Sequence, residues 1–428
     1  MLYTVYRSRI IVLMKLNDSQ KAAVFHKDGP ALIIAGPGSG KTAVIIRRIQ
    51  YLIRDCQVPP GQILAVTFSR KAAEEMQERF LSMQADKTVP FFGTCHSIFF
   101  MILRKAYGLT SENILTEDDG LPDLPGDSFS GEKDGADLIS DLSEGSDPVR
   151  ISFDEILSLC LELLKKREDI RSFWQRQFRY ILVDEFQDLN PVQYEILKIL
   201  SAPENNLFVV GDDDQSIYSF RGATPQIMKR FLKNYPDSKR FLLNQSFRCP
   251  PVILAASQKV IQKNRLRLPK QLESARRDKK GLFQIRKCRT QKDEYLSIAK
   301  EIRRLLASGE DAETVAILIR RRQESPLIQT VLNRYQIFPN TSFPSVRLLT
   351  MHAAKGLEFK HVFLPDLNEK ILPSGKAATR AALEEERRIF YVAMTRASES
   401  LRVYFSESIR RRKAVPSRFL DCFLSGHL

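Results

Sequence analysis

The chain has 428 residues, 43% apolar and 27% charged, which is enough for two or three globular domains. No apolar run approaches the ~20 residues of a membrane-spanning helix. Six cysteines without a C-x-x-C pair, and five scattered histidines without metal spacing, argue against a zinc site or a disulfide framework and suit a reducing cytoplasm. The net charge of +15 points to a polyanionic partner, and it is unevenly spread. Residues 111–148 hold twelve acidic groups and one basic one, Lys133, a local charge of −11 that leaves +26 on the rest. A basic body of that size is an electrostatic footprint for nucleic acid.

Residues 1–14 form an N-terminal extension. Tyr3–Met14 carries Arg7 and Arg9 inside its apolar part and has no small-residue cleavage site, so it is a poor signal peptide. Residues 1–13 are expected to be a short extra strand or the product of an upstream start codon, since Met14 stands just before the first motif. Ala31–Ala35 then reads as a short apolar strand and Thr42–Arg54 as an amphipathic helix, with AGPGSGKT (Ala35–Thr42) joining them. Strand, glycine-rich loop and helix together make the context of a P-loop. Gly36, Gly38 and Gly40, with Pro37 and Ser39 between them, let backbone N–H groups curl around phosphate oxygens at a positive helix end. Lys41 is placed for the β- and γ-phosphates of ATP and Thr42 for Mg²⁺.

Further strands are predicted near 63–68, 179–185, 206–211 and 239–243, and helices near 70–84, 95–106, 153–167, 191–200 and 224–234. The strand in RYILVDEFQD (Arg179–Asp188) ends on Asp184-Glu185. One carboxylate at a strand tip can hold a Mg²⁺-bound water, and its neighbour can take a proton from an attacking water. Alone, the pair reads equally well as a solvated turn; the P-loop upstream gives it chemistry. Residues 109–149, rich in Asp, Gly, Ser and Pro, are read as a flexible tether or as a segment that folds back on a basic groove as a nucleic-acid mimic. The second half predicts strands near 282–287, 314–319, 346–350, 361–365 and 401–405, and helices near 250–262, 292–307, 324–334 and 379–394. Alternation on this scale means two parallel sheets wrapped by helices.

Taken in order, these motifs resemble the UvrD/Rep/PcrA group of superfamily 1 DNA helicases, from Leu16 to about Leu420. The resemblance implies an α/β fold of two RecA-like P-loop NTPase domains with parallel sheets and the ATP site in the cleft between them. The first domain would comprise 15–108 and 150–248, interrupted by 109–149, and the second 249–428. Each block then takes a role. In LNDSQKAAV, Gln20 would meet the adenine edge, although a Gln at a helix start also serves as a cap. In VTFSRKAAEEMQER, Thr67 would bind phosphate and Phe68 stack on a base; in GTCHS, His96 would contact DNA. Asp184 would ligate Mg²⁺ and Glu185 act as general base, with Gln187 and Asp188 coupling the site to the cleft.

In VVGDDDQSIYSFRGA, Gln215 would sense the γ-phosphate, Tyr218 and Phe220 would stack on bases, and Arg221 would link the phosphate and DNA ends. In LLNQSFRCP, Phe247 would stack on adenine and Arg248 reach the γ-phosphate. In TMHAAKGLEF, His352 and Lys355 would lie near DNA and Glu358 toward the ribose. In EEERRIFYVAMTRA, Arg396 would be the arginine that stabilises the transferring phosphoryl group. The activity implied is ATP hydrolysis driving 3′→5′ movement on single-stranded DNA and unwinding of duplex, in a cytoplasmic DNA-repair setting.

The sequence departs from the family in places. Arg70 stands where Asn is usual, Phe220 where Trp is frequent and Phe247 where Tyr is usual. The helical subdomain of the first half is replaced by the acidic segment and helices over 153–178, and only a short stretch separates Arg320-Arg321-Arg322 from Val346, where relatives carry a large insertion. The hairpin after the last motif, SESIRRRKAVPSR (Ser406–Arg418), is short and lacks an aromatic tip. A helicase–nuclease fusion is not expected, since the sequence ends at Leu428. Translocation is thus expected more firmly than unwinding by the monomer, which would need a protein partner or self-association. The alternative is a nucleotide-gated DNA-binding subunit of a repair complex.

Overall fold

The computed structural model describes residues 16–83, 89–110, 113, 151–277, 280–335, 337 and 345–424. The N-terminal extension 1–14 and nearly all of the acidic segment 109–149 lie outside these residues. The chain divides into two compact units. Unit one runs to Ala35 and adds Lys41–Gly211 and Phe220–Leu243; unit two takes Gly36–Gly40, Asp212–Ser219 and the chain from Asn244 onward. Among the described residues no helix is long and apolar enough to cross a membrane.

Unit one contains α1 (Asp18–Val24), β1 (Ala31–Ala35), α2 (Lys41–Arg54), β2 (Ile63–Thr67), α3 (Arg70–Leu81), β3 (Phe91–Thr94), α4 (Cys95–Tyr107), α5 (Phe153–Lys166), α6 (Glu168–Gln177), β4 (Tyr180–Val183), α7 (Pro191–Ser201), β5 (Leu207–Gly211), α8 (Ile227–Asn234) and β6 (Lys239–Leu243). The strands form one parallel sheet in the order β3–β2–β4–β5–β1–β6. β4 and β5 are buried at every residue, as continuous apolar runs in a sheet covered on both faces must be. Reciprocal capping boxes start four helices, at Asn17/Gln20, Thr94/Ser97, Ser152/Glu155 and Asn190/Gln193, and Pro191 occupies the first turn of α7, where its missing N–H costs nothing. The helix expected over 153–167 is α5, and Arg167, with an extended backbone (φ −104°, ψ 98°), separates it from α6. Trp174 and Phe178 of this second segment stack on each other, and the Lys105 ammonium sits 3.5 Å from the centre of the Phe173 ring.

Unit two contains β7 (Gln245–Ser246), α9 (Pro251–Ile261), β8 (Glu273–Ser274), β9 (Leu282–Thr290), α10 (Gln291–Ala307), β10 (Val315–Ile319), α11 (Ser325–Arg334), β11 (Arg347–Thr350), β12 (Phe359–Leu364), α12 (Arg380–Met394), β13 (Ala397–Ile409), β14 (Arg412–Lys413) and α13 (Asp421–Leu424). The larger sheet runs β11–β10–β12–β13–β14, and β9 pairs in parallel with β13. Its two faces carry separate cores. One is built on Ile253, Val260, Leu318, Val362, Ile389 and Leu401, the other on Tyr295, Ile302, Ile317, Ile328, Phe363 and Tyr404. The short hairpin expected near 406–418 is formed by β13 and β14, with Arg410 and Arg411 at φ 49° and 63°. Positive φ at both turn residues matches the right-handed twist of the flanking strands.

Candidate functional site

All six strands of the unit-one sheet are parallel, so the ends of β1, β4 and β5 share one edge, where open α/β sheets bind ligands. At that edge the Lys41 ammonium, in the first turn of α2, lies 3.0 Å from Glu185 Oε1. The neighbouring Thr42 hydroxyl donates to Asp184 Oδ2 at 3.1 Å, and the Glu185 N–H donates to Asp184 Oδ1 at 2.9 Å. Gln187 Nε2 donates to Glu185 Oε2. Glu185 holds a left-handed backbone (φ 49°, ψ 40°), an uncommon conformation for a non-glycine residue that marks a constrained site. Burial, reinforced by the Glu185 charge, pushes the Asp184 carboxyl up to about 6 despite the opposing Lys41 ammonium. A carboxylate oxygen beside a hydroxyl is a donor pair that suits a hard divalent cation.

Loop Gly36–Gly40 packs with unit two. The Phe247 N–H donates to Gly38 O at 2.9 Å, and the Ser246 hydroxyl donates to Pro37 O at 2.7 Å. Gly38 has φ +67°, and a Cβ there would stand 2.5 Å from Arg248 Cβ, so this position requires glycine on both counts. Arg248 Nε donates to Glu358 Oε2 at 2.7 Å and its Nη1 reaches Thr395 O at 3.4 Å. Arg396 is 2% exposed. Its Nε donates to Val392 O at 2.9 Å and its Nη2 to Gln215 Oε1 at 3.2 Å. Gln215 Nε2 in turn donates to Asp212 Oδ2 at 2.6 Å, and Lys355 Nζ donates to Gln215 O at 2.7 Å. Unit two therefore brings together Gly38, Phe247, Arg248 and Glu358 in one group, and Gln215, Lys355 and Arg396 in another.

Beneath Gln215 lies a charged cluster whose cationic half the sequence pattern did not signal. Lys270 Nζ stands 2.5, 2.6 and 3.0 Å from carboxylate oxygens of Asp212, Asp213 and Asp214, and Arg267 makes a bidentate pair with Asp214 at 3.0 and 2.7 Å. Burial alone would lower the Lys270 pKa, but the three aspartates outweigh it and raise the ammonium above its ordinary value. The run Asp212–Asp214 was visible; its partner lies 57 residues beyond Asp213, which no local period can signal.

The expected DNA-facing residues differ in setting. Phe220 is 67% exposed, and the Arg221 guanidinium lies 5.8 Å from its ring centre and 5.9 Å from that of Phe68. Thr67 is buried at the end of β2. Tyr218 is half-buried against the unit-two core, with the Lys355 ammonium 4.8 Å from its ring centre. His96, in the first turn of α4, meets Phe153 edge-on, and burial lowers its pKa. Burial, with Arg320 adding to it, lowers His352 to about 4, so this ring is neutral at pH 7 and offers a hydrogen bond rather than a charge. Gln20 is buried, and its Oε1 accepts the Asn17 N–H at 3.0 Å, so its carbonyl closes the α1 cap.

Two family sequence profiles match the chain. The UvrD/REP helicase N-terminal domain matches residues 16–121 and 133–236, and the UvrD-like helicase C-terminal domain matches 241–342 and 338–408. A putative ATP-dependent DNA helicase YjcD of Bacillus subtilis (strain 168) is 32% identical over 367 residues, covering 75% of this chain and 48% of that protein. The ATP-dependent DNA helicase PcrA of Staphylococcus aureus (strain Mu50) is 31% identical over 361 residues, 74% of this chain and 49% of its own length. A probable DNA helicase of Mycoplasma pneumoniae is 31% identical over 471 aligned positions, 96% of this chain and 88% of that protein. The chain thus spans about half the length of the first two relatives.

Proposed function

The chain belongs to the UvrD/REP helicase family, and from that membership we propose that it is an ATP-driven DNA motor that moves 3′→5′ along single-stranded DNA and opens tailed duplex. The observation that carries this reading is the pairing of Lys41 with Glu185 and of Thr42 with Asp184 at one sheet edge. The backbone of Gly36–Gly40 would cradle the phosphates, and Lys41 would exchange the Glu185 carboxylate for phosphate oxygens. That exchange frees Glu185 to take the proton of the attacking water. Asp184 and Thr42 would hold Mg²⁺, which when bound neutralises phosphate charge. Gln215, held between Asp212 and Arg396, would read the γ-phosphate. Arg248 and Arg396 would stabilise the charge that spreads over the transferring group. Phe247, Gln20 and Glu358 would bind the nucleoside.

DNA would meet Phe68, Phe220 and Arg221, which present aromatic faces beside a cation. Thr67, His96, Tyr218 and His352 would complete that surface. The two RecA-like domains are assigned to 15–108 with 150–248 and to 249–428. The missing family insertions favour unwinding with a protein partner or a second copy, in cytoplasmic DNA repair. The reading is tested by ATP turnover with and without single-stranded DNA, beside unwinding of 3′-tailed and 5′-tailed duplexes. DNA-stimulated turnover with opening of the 3′-tailed duplex is expected. Turnover without stimulation would sink the motor reading in favour of a nucleotide-gated binding subunit, and opening of only the 5′-tailed duplex would reverse the polarity.

A further inference from the structure

We propose that Glu310, His361 and Glu399 of unit two form a binding site for a divalent transition-metal ion, Zn²⁺ foremost, outside the residues assigned to nucleotide and DNA. His361 lies on β12, whose parallel pairing with β13 passes from Phe359↔Ala397 to His361↔Ser400. One extra β13 residue is accommodated in that step, and a bulge re-aims side chains. Glu399 stands in it, beside the imidazole. Glu310 arrives from the turn after α10, fixed by its N–H to Leu305 O at 3.1 Å. One ligand atom from each of the three residues lies within 4.8 Å of the others. Zinc bonds of about 2.0–2.2 Å put tetrahedral ligand atoms roughly 3.2–3.6 Å apart, so closure of about 1 Å is needed. The two half-buried glutamates can supply it by rotation, while His361 is held on its strand.

A second observation comes from the imidazole itself. His361 is 6% exposed, and its Nε2 is buried without a hydrogen-bond partner. The nearest carboxylate oxygen, Glu310 Oε2, is 3.6 Å away, beyond hydrogen-bond reach. The other nitrogen, Nδ1, lies 2.8 Å from Ser400 Oγ, and Arg402 Nη1 donates to the same hydroxyl at 2.7 Å. With Nδ1–H donated to Ser400, Nε2 presents its lone pair toward the two carboxylates, the arrangement by which a second shell sets a ligating histidine. Lys360 Nζ, 3.0 Å from Glu310 Oε2, supplies the present counter-charge and is partly open to solvent, so a metal ion can displace it. One imidazole with two carboxylates suits a borderline ion such as Zn²⁺ better than Mg²⁺, which prefers oxygen and retains water. The ligands come from a turn and two strands, so linear spacing could not reveal them.

The test is titration of the nucleotide-free, chelator-stripped full chain with ZnCl2 by calorimetry, with Co²⁺ absorption reporting coordination geometry. One equivalent of Zn²⁺ should bind and raise the melting temperature. Glu399→Gln and His361→Gln should each weaken binding at least about tenfold, while Asp184→Asn leaves it intact and excess MgCl2 fails to compete. Glu399 is half-buried, so its variant remains informative if the His361 variant does not fold. No stoichiometric binding, binding indifferent to Glu399→Gln, or binding lost in Asp184→Asn overturns the proposal.

Discussion

Replacing Lys270 with Met removes an ammonium that touches all three of Asp212, Asp213 and Asp214. Its side chain is fully buried, as are those of its partners, and its three contacts run from 2.5 to 3.0 Å. Without it, Asp214 keeps Arg267, Asp212 keeps the Gln215 amide and Asp213 keeps the Leu268 N–H, but no described ammonium bridges the three carboxylates. Breaking a buried pair by removing one partner costs about 3–5 kcal/mol, because the remaining charge stays desolvated. For a unit of this size each kcal/mol moves the midpoint by about 2–4 °C, so unit two should melt roughly 6–20 °C lower at pH 8. Acidification should narrow the gap. Burial already raises the Asp213 pKa against the pull of Lys270, and with the ammonium gone the cluster takes up protons more readily. Differential scanning calorimetry from pH 5.5 to 8, with the Lys270→Met/Asp213→Asn double variant, measures both effects. The double variant should recover part of the loss. A Lys270→Met protein within about 1 kcal/mol of the parent at pH 8 would refute this account of the cluster.

Arg396→Ala should lower DNA-stimulated kcat by about 10³-fold or more with little change in ATP affinity, read by steady-state turnover and equilibrium binding; a smaller loss with weakened ATP binding would make Arg396 a binding residue only. Glu294 is raised well above the ordinary carboxylate range by burial and by the Asp366 charge, so it keeps its proton to higher pH in the folded state than in the unfolded one. Its contribution is full below about pH 4.3, the ordinary Glu value, and is lost as pH rises through the folded pKa. Glu294→Gln, which keeps neutral hydrogen bonding to the Asp366 N–H and Ser406, should therefore gain stability relative to the parent as pH rises from 5 to 8 in urea titrations; a pH-independent difference would contradict the assignment. Phe220→Ala should weaken single-stranded DNA binding by about 1–3 kcal/mol without moving the melting temperature; unchanged binding by fluorescence anisotropy would remove Phe220 from the interface.

The parts of the fold legible in sequence were those that physics makes local. β1, β4 and β5 are short apolar runs ending in motif residues; the glycine-rich loop stands out by its strand–loop–helix order, and the Asp184-Glu185 pair, equally a solvated turn when taken alone, gains its meaning from that loop. β3 was not legible: Phe91–Thr94 is four residues with a glycine, recognisable only once it pairs with β2. The end of α5 near 167 was legible, but α6 showed no bounds of its own within 153–178, because it follows α5 after a single extended residue. Lys270 was hidden for a different reason, since an ion cluster closed over more than fifty residues has no periodicity. Gln20 carries both possibilities in its side chain, and only the structure reveals the cap that its carbonyl makes.

The central claim is that Glu185 activates water for a DNA-coupled ATPase, and Glu185→Gln tests it most directly. The substitution keeps an oxygen near Lys41 and removes the proton acceptor. ATP turnover on saturating single-stranded DNA should fall to background while ATP and DNA binding persist. Turnover retained within about tenfold of the parent would contradict the account, since general-base catalysis is worth about 10²–10⁴-fold.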